Sequence, residues 1–360
     1  MRRKVAITGL GLASSHGEGR AVHAALLGGA APVLDEARFA PYPIHPLPPL
    51  DFAAVIARRE LRQMETWQRL GVYAAGLALD DAGLRERVAE IDLVVAAGGG
   101  ERDWALDEQI LAAAPDEAGR HRMLMDGLRP TLFLAQLSNL LAGSISITHN
   151  VAGSSRTLLG EEVAGAEAVR VMSARIAAGT SELGLVGAAF TSERLDMLLL
   201  YAMGNQLHRG PWEPLPARQG MVLGSGAAFL TLALAEGATA PIAILSHIAT
   251  DQGRPEGRPA RLAALLAAVP QRRAGCLVIS TASGAVAPTR DELAALGVAP
   301  DLFSADLLGH TVEAAFPAGL ALAALAIAAG TPQVLVTGAG QWRGEAVALL
   351  ERPGLLERTA

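Results

Sequence analysis

NLLAGSISITHNVAGSSRTLLGEEVAGAEAVRVMSARIAAG, residues Asn139 to Gly179, decides the fold. The apolar, strand-like run Ser144 to Thr148 predicts a strand, followed by a turn at Gly153. A second short strand is expected over Arg156 to Leu159, a sharp turn at Gly160, and an Ala-rich helix from about Val163. A strand that feeds a helix through a tight turn presents one residue where free backbone N–H groups converge. Here that residue is Glu162.

Laid without a gap over N-x-x-A-G-x-[VI]-S-I followed by G-P-N and T-A-C-x-x-G, the stretch matches at Asn139, Ala142, Gly143, Ile145, Ser146, Ile147, Gly153 and Gly165. In these motifs it closely resembles the β-ketoacyl-acyl-carrier-protein synthases. The nucleophilic Cys of that family falls on Glu162. The N-terminal V-x-I-T-G-L-G, the helix Thr66 to Ala82 ending at Gly83, and Met221 to Thr231 continue the resemblance in family order, with Ser225 in place of an acidic residue. The fold implied is α/β and thiolase-like, two duplicated halves in a five-layered α/β/α/β/α arrangement. Residues 1–240 form the expected first half and 241–360 the second, joined over Gly237 to Pro241.

Outward from the centre, Lys4 to Thr8 is expected as a strand and Gly9 to Gly17 as a loop opening onto a helix at Arg20 to Leu27. The Pro-rich segment Ala40 to Leu50 suits only a surface loop. A strand is expected at Asp92 to Ala97, a charged cap or dimer face over Glu101 to Met125, a helix at Leu132 to Leu141 and a buried strand at Leu183 to Ala188. Beyond the joint, strands are expected at Ile242 to His247, Cys276 to Thr281, Gln333 to Val336 and Ala346 to Leu350. Helices are expected at Arg258 to Val269, Arg290 to Leu296 and Ala314 to Ala329.

Composition agrees with a buried sheet under Ala- and Leu-rich helices: 360 residues, 51% hydrophobic, 39 Gly and only 18% charged. A net charge of −6 gives no footing for nucleic acid or an anionic membrane surface. The apolar run after Met1 to Lys4 is short and broken by Gly9 and Gly11, so it reads as a first buried strand and the chain as cytoplasmic. No dinucleotide fingerprint follows Gly9–Leu10–Gly11, no metal-ligand spacing links His16, His45 and His247, and no metal is expected. The three histidines read as surface or loop residues. The single Cys276, in the apolar run CLVIS without an acid or His beside it, reads as an inert thiol.

The resemblance implies a catalytic set of one Cys, two His and a Lys, with a G-F-G gate over the acyl pocket. The nucleophile position holds Glu162. The first His belongs to A-H-G-T-x-T-P-x-x-D, matched by Ala282, Gly284, Pro288 and Asp291, and its place holds Ser283. The second His belongs to K-x-x-x-G-H, where Gly309 and His310 match and the Lys place holds Ala305. The gate falls on Gly340, Gln341 and Trp342.

Glu162 has three readings: a plug of the nucleophile site, a group acting in decarboxylation or related chemistry, or an acidic residue opposing the helix dipole for about 0.3–1 kcal/mol. His310 reads as a remnant that holds its loop, or as a donor to a substrate carbonyl. Arg156, if buried, would need Glu161 or Glu162 as its carboxylate. By resemblance to chain-length factors, the chain is expected to be a non-condensing partner of a Cys-containing ketosynthase in type II fatty acid or polyketide biosynthesis. Very-long-chain or aryl-polyene products are the narrower settings. The alternative is an enzyme in its own right, a malonyl-carrier decarboxylase or a divergent acyltransferase or thioesterase using Glu162 and His310. The implied associates are that ketosynthase (or a second copy, as a homodimer) and acyl carrier protein. No cofactor is expected beyond the carrier's phosphopantetheine arm.

Overall fold

A computed structural model describes residues 3–129 and 132–354. Its ten core strands are β1 (Val5–Ser14), β2 (Ile91–Ala96), β3 (Ser155–Leu158), β4 (Leu183–Phe190), β5 (Gly226–Leu234), β6 (Ala243–Asp251), β7 (Leu277–Ser280), β8 (Leu302–Phe303), β9 (Gln333–Ala339) and β10 (Glu345–Glu351). They lie in the order β8-β7-β9-β10-β6-β1-β5-β4-β2-β3. Adding five to each number of the first set gives the second set in mirror order. The two sets meet where β1 and β6 pair antiparallel, Ile7 opposite Ala243 and Val5 opposite Leu245. In each set the fifth strand runs antiparallel to its neighbours and the others are parallel.

The helices repeat in the same way. α1 (Thr66–Asp81), α2 (Leu140–His149) and α3 (Glu161–Ala178) punctuate the first set; α4 (Arg258–Ala267), α5 (Val286–Leu296) and α6 (Ala315–Ala328) punctuate the second. α1 and α2 cover one outer face and α4 and α5 the other, while α3 and α6 pack against each other between the two halves of the sheet. This gives the five layers expected. α6 has no charged residue and is buried from Ala315 to Ile327, as a helix apolar all round must be. Among the described residues no helix is long and apolar enough to cross a membrane.

Three local expectations change. Ser144 to Thr148 lies within α2 and is not a strand. Leu141, Ala142, Ile145 and His149 share the buried face of α2, and this helical spacing overrides the alternation of Ile and Ser. The helix expected over Leu132 to Leu141 is confined to Leu132–Ala135, and α2 begins at Leu140. Gly9 and Gly11 do not open a loop, because β1 runs through both to Ser14. α1 crosses directly above them: a Cβ on Gly11 would lie 1.9 Å from the Ala74 carbonyl oxygen, and one on Gly9 2.7 Å from that of Ala78. The glycines mark a close approach of backbones.

His45 is also misplaced by the sequence reading. Within the Pro-rich segment Ile44–His45 pairs in parallel with Leu223–Gly224, and the His45 ring is fully buried. Burial, then the nearby Arg218 guanidinium, push its pKa down to about 3. His16 is partly buried and its Nε2 bonds the Leu307 carbonyl, while His247 lies half-buried on β6.

Candidate functional site

The mirrored topology makes the site. β3 passes into α3 through Leu159 and Gly160, and β8 passes into α6 through a short helix, Ser304–Leu308, and the loop bearing His310. Since α3 and α6 are partners in the central layer, the two equivalent crossovers end side by side. A Cβ on Gly165 would lie 2.0 Å from the Glu313 carbonyl oxygen, so only glycine permits this distance between the second turn of α3 and the entry to α6. The turn into α3 is tight, with Gly160 at φ 144° and Glu161 at φ 56°. A left-handed conformation at a non-glycine residue stores strain and is frequent at functional sites.

Glu162 and His310 meet at this point. Glu162 Oε1 lies 3.1 Å from His310 Nε2 and accepts the Gln341 backbone N–H at 3.2 Å. The His310 ring is buried, and its Nδ1 has no partner. Burial pushes the Glu162 carboxyl up. The bond and charge of His310, helped by the backbone N–H groups of Glu162 and Gln341, outweigh burial and hold it below the usual carboxylate range. An ionised carboxylate therefore fills the convergence of donors at the head of α3. Such a group is a hard, weak nucleophile made weaker by those donors.

The segment Gly340–Gln341 is held from behind. Buried Arg258 donates to the Gly340 and Gln341 carbonyls at 3.2 and 3.3 Å and pairs with Asp291 at 3.4 Å and Glu345 at 3.5 Å. Asp291, matched in the sequence motif, thus reaches the Gly340–Gln341 backbone through Arg258. Gly340 and Gln341 lie against Glu162, and Trp342 lies outward, 41% exposed.

At the other positions the contacts are local or lie elsewhere. Ser283 is buried, and its Oγ accepts the Ala285 N–H at 3.2 Å. Ala305 packs with Leu215 and Ala282 in an apolar cluster that offers a lysine ammonium nothing. Arg156 is exposed on β3 and pairs with neither Glu161 nor Glu162, which corrects that expectation: Glu162 is engaged by His310. Cys276 is half-buried, with its thiol pushed up by burial. Ser225 bonds the carboxylate of Glu193, so an acid reaches that place from a different point of the chain.

Sequence reasoning missed Glu313. It is buried at the entry to α6, and burial, together with the charges of Glu162 and Glu161, raises its carboxyl to about 7. The available signal was its isolation, as the only charged residue between His310 and Arg343. With Glu161 it lines a cleft of about 400 Å³ beside Glu162, rimmed by Leu159, Leu200 and Trp342. Among the described residues no cluster of His, Cys, Asp and Glu is arranged to hold a metal.

A family model, "Beta-ketoacyl synthase, N-terminal domain", matches residues 51–238, just over half of the chain. The chain belongs to the β-ketoacyl synthase family. No curated protein matches it. Among solved structures it is similar to the ishigamide ketosynthase/chain length factor, with 23% identity, TM-score 0.80, and 98% of this chain and 100% of that chain covered. It is also similar to the AntDE–AntF structure, a type II polyketide synthase acyl carrier protein in complex with its ketosynthase, with 19% identity, TM-score 0.75, and 97% and 99% covered. The PfaC ketosynthase–chain length factor matches with 15% identity and TM-score 0.77, over 98% of this chain and 48% of that one. At these identities the likeness is one of fold.

Proposed function

We propose that this chain is a non-condensing, chain-length-factor-type subunit that partners a Cys-containing ketosynthase, with acyl carrier protein bearing the substrates. The observation that carries this reading is the Glu162 carboxylate, seated on His310 Nε2 and the Gln341 N–H where a thioester would have to form. Condensation needs a soft nucleophile and donors left free for the developing negative charge. Here the donors are occupied by the protein's own carboxylate, and the first His and the Lys are Ser283 and Ala305. The names of the similar structures, two of which include a chain length factor and one an acyl carrier protein, support the same role. Fatty acid, polyketide, very-long-chain and aryl-polyene pathways all accommodate it.

The test is recovery of the tagged chain from its native cell, with the partner identified and its stoichiometry measured by native mass spectrometry. A ketosynthase bearing the Cys, at one copy per copy of this chain, is expected. Recovery as a homodimer that turns over malonyl-carrier, with turnover lost in Glu162→Gln, would replace the proposal by the enzymatic alternative.

A further inference from the structure

We propose that the cleft beside Glu162 is a binding site for an alkyl chain ending in a cationic group, a primary ammonium. Its rim is apolar, made by Leu159, Leu200 and Trp342, which are 67%, 52% and 41% exposed. Its buried wall carries polar groups among the apolar Ala189, Phe190 and Val312. The Glu313 side chain is 4% exposed and forms no ion pair among the described residues, and Trp67, 3% exposed, has its indole N–H unpartnered. Glu161 lies on the same wall, held at φ 56°, with Oε2 buried and unpartnered.

Charge selects the ligand. The cations facing the cleft are Arg194 and Arg343. Arg194 is taken up by Asp196 at 2.7 Å and by the Gly100 carbonyl at 2.9 Å. Arg343 is exposed at the rim and forms no ion pair among the described residues. His310 is engaged with Glu162. Glu161 and Glu313 face the cleft without an ion pair among the described residues: Glu161 is repelled by Glu162 and drawn by Arg343, and Glu313 is repelled by Glu162 and Glu161 and drawn by Arg194. Burial is the largest cause, and the balance raises both to about 7. A cation brought by a ligand would take the place of the protons they otherwise bind, and Tyr201 and Trp342 line the same cleft. A plain alkyl chain would cover the Glu161 and Glu313 carboxyls without pairing them, at a desolvation cost.

The test is titration of the whole chain, with any subunit that co-purifies, by calorimetry and tryptophan fluorescence. The probes are n-hexylamine, n-hexanol and hexanoate. The amine is expected to bind at least about tenfold more tightly than the alcohol, and hexanoate more weakly than either. Raising the pH from 6 to 8 should strengthen amine binding, because Glu161 and Glu313 lose protons over that range while the amine keeps its charge. Glu313→Gln should abolish the preference for amine over alcohol; Glu161→Gln should reduce it and serves if the first variant fails to fold. Equal affinity for amine and alcohol, no saturable amine binding, or an unchanged preference in both variants would overturn the proposal.

Discussion

Breaking the contact between the two halves at Glu162 gives a measurable quantity. Glu162→Ala removes the acceptor of two donors, His310 Nε2 at 3.1 Å and the Gln341 N–H at 3.2 Å. Both bonds are longer than the 2.7–2.9 Å of strong charge-assisted pairs, so each is placed at the low end for bonds to charged groups, about 1.5 kcal/mol. The gross loss is then about 3 kcal/mol. Relief of the buried carboxylate's desolvation, the largest effect opposing its ionisation, offsets part of this and leaves a net cost of about 2 kcal/mol. A double-mutant cycle isolates the pair: wild type, Glu162→Ala, His310→Ala and the double variant, unfolded in urea and followed by circular dichroism. One protein concentration must be kept throughout, because assembly contributes to apparent stability. The expected coupling at pH 7 is about 1.5 kcal/mol. Since the folded carboxyl titrates below its usual value, the contribution is complete above the unfolded value of 4.5 and is lost as pH falls through the lower folded one. Strict additivity at pH 7, with coupling below about 0.5 kcal/mol, would refute the claim that the carboxylate is held by His310.

Glu162→Cys alone should give no elongation from acyl- and malonyl-carriers, because Ser283 is bonded to Ala285 and Ala305 sits in an apolar cluster; a mass-detected condensation product would sink this. Gly165→Ala should destabilise by about 1–3 kcal/mol or more, since its methyl would meet the Glu313 carbonyl at 2.0 Å, and a melting temperature equal to wild type would contradict the geometry. Arg258→Met leaves Asp291 and Glu345 without that guanidinium and should cost about 3–5 kcal/mol, with faster hydrogen exchange at Gln341 as the local readout. Asp92 is opposed by burial but held at about 2 by Ser181, Arg175 and Ser154. Asp92→Asn should therefore destabilise above pH 4, with the difference fading as pH falls through about 2.

The periodicity of strands and helices was legible because each core element carries its own apolar pattern. The place of Glu162 was legible because a turn between strand and helix has a local signature. What failed depended on contacts distant in sequence. Gly9 and Gly11 look like loop residues until α1 is laid across them. Ile145 and its neighbours alternate like a strand, although their buried set is helical. Arg156 was assigned a carboxylate that His310, 154 residues further on, had already engaged. Nothing in the sequence near β3 announces that partner, which enters from the second half through the Gly309–His310 motif.

The duplication also explains how the chain can keep the fold without the family's nucleophile. The two crossovers are brought together by α3 against α6 and by glycine at Gly165, and none of these contacts requires a thiol. A residue at the head of α3 must instead satisfy converging donors in a buried place, and a carboxylate does so where an apolar side chain would leave His310 and Gln341 unpaired. The same choice places a fixed negative charge beside Glu161 and Glu313 and helps raise both towards neutrality. Replacing Glu162 by Gln should therefore lower both pKa values while preserving the shape of the site. Carboxyl titration followed by difference infrared spectroscopy measures this directly, and two carboxyls still titrating near 7 in Glu162→Gln would mean that burial alone sets them.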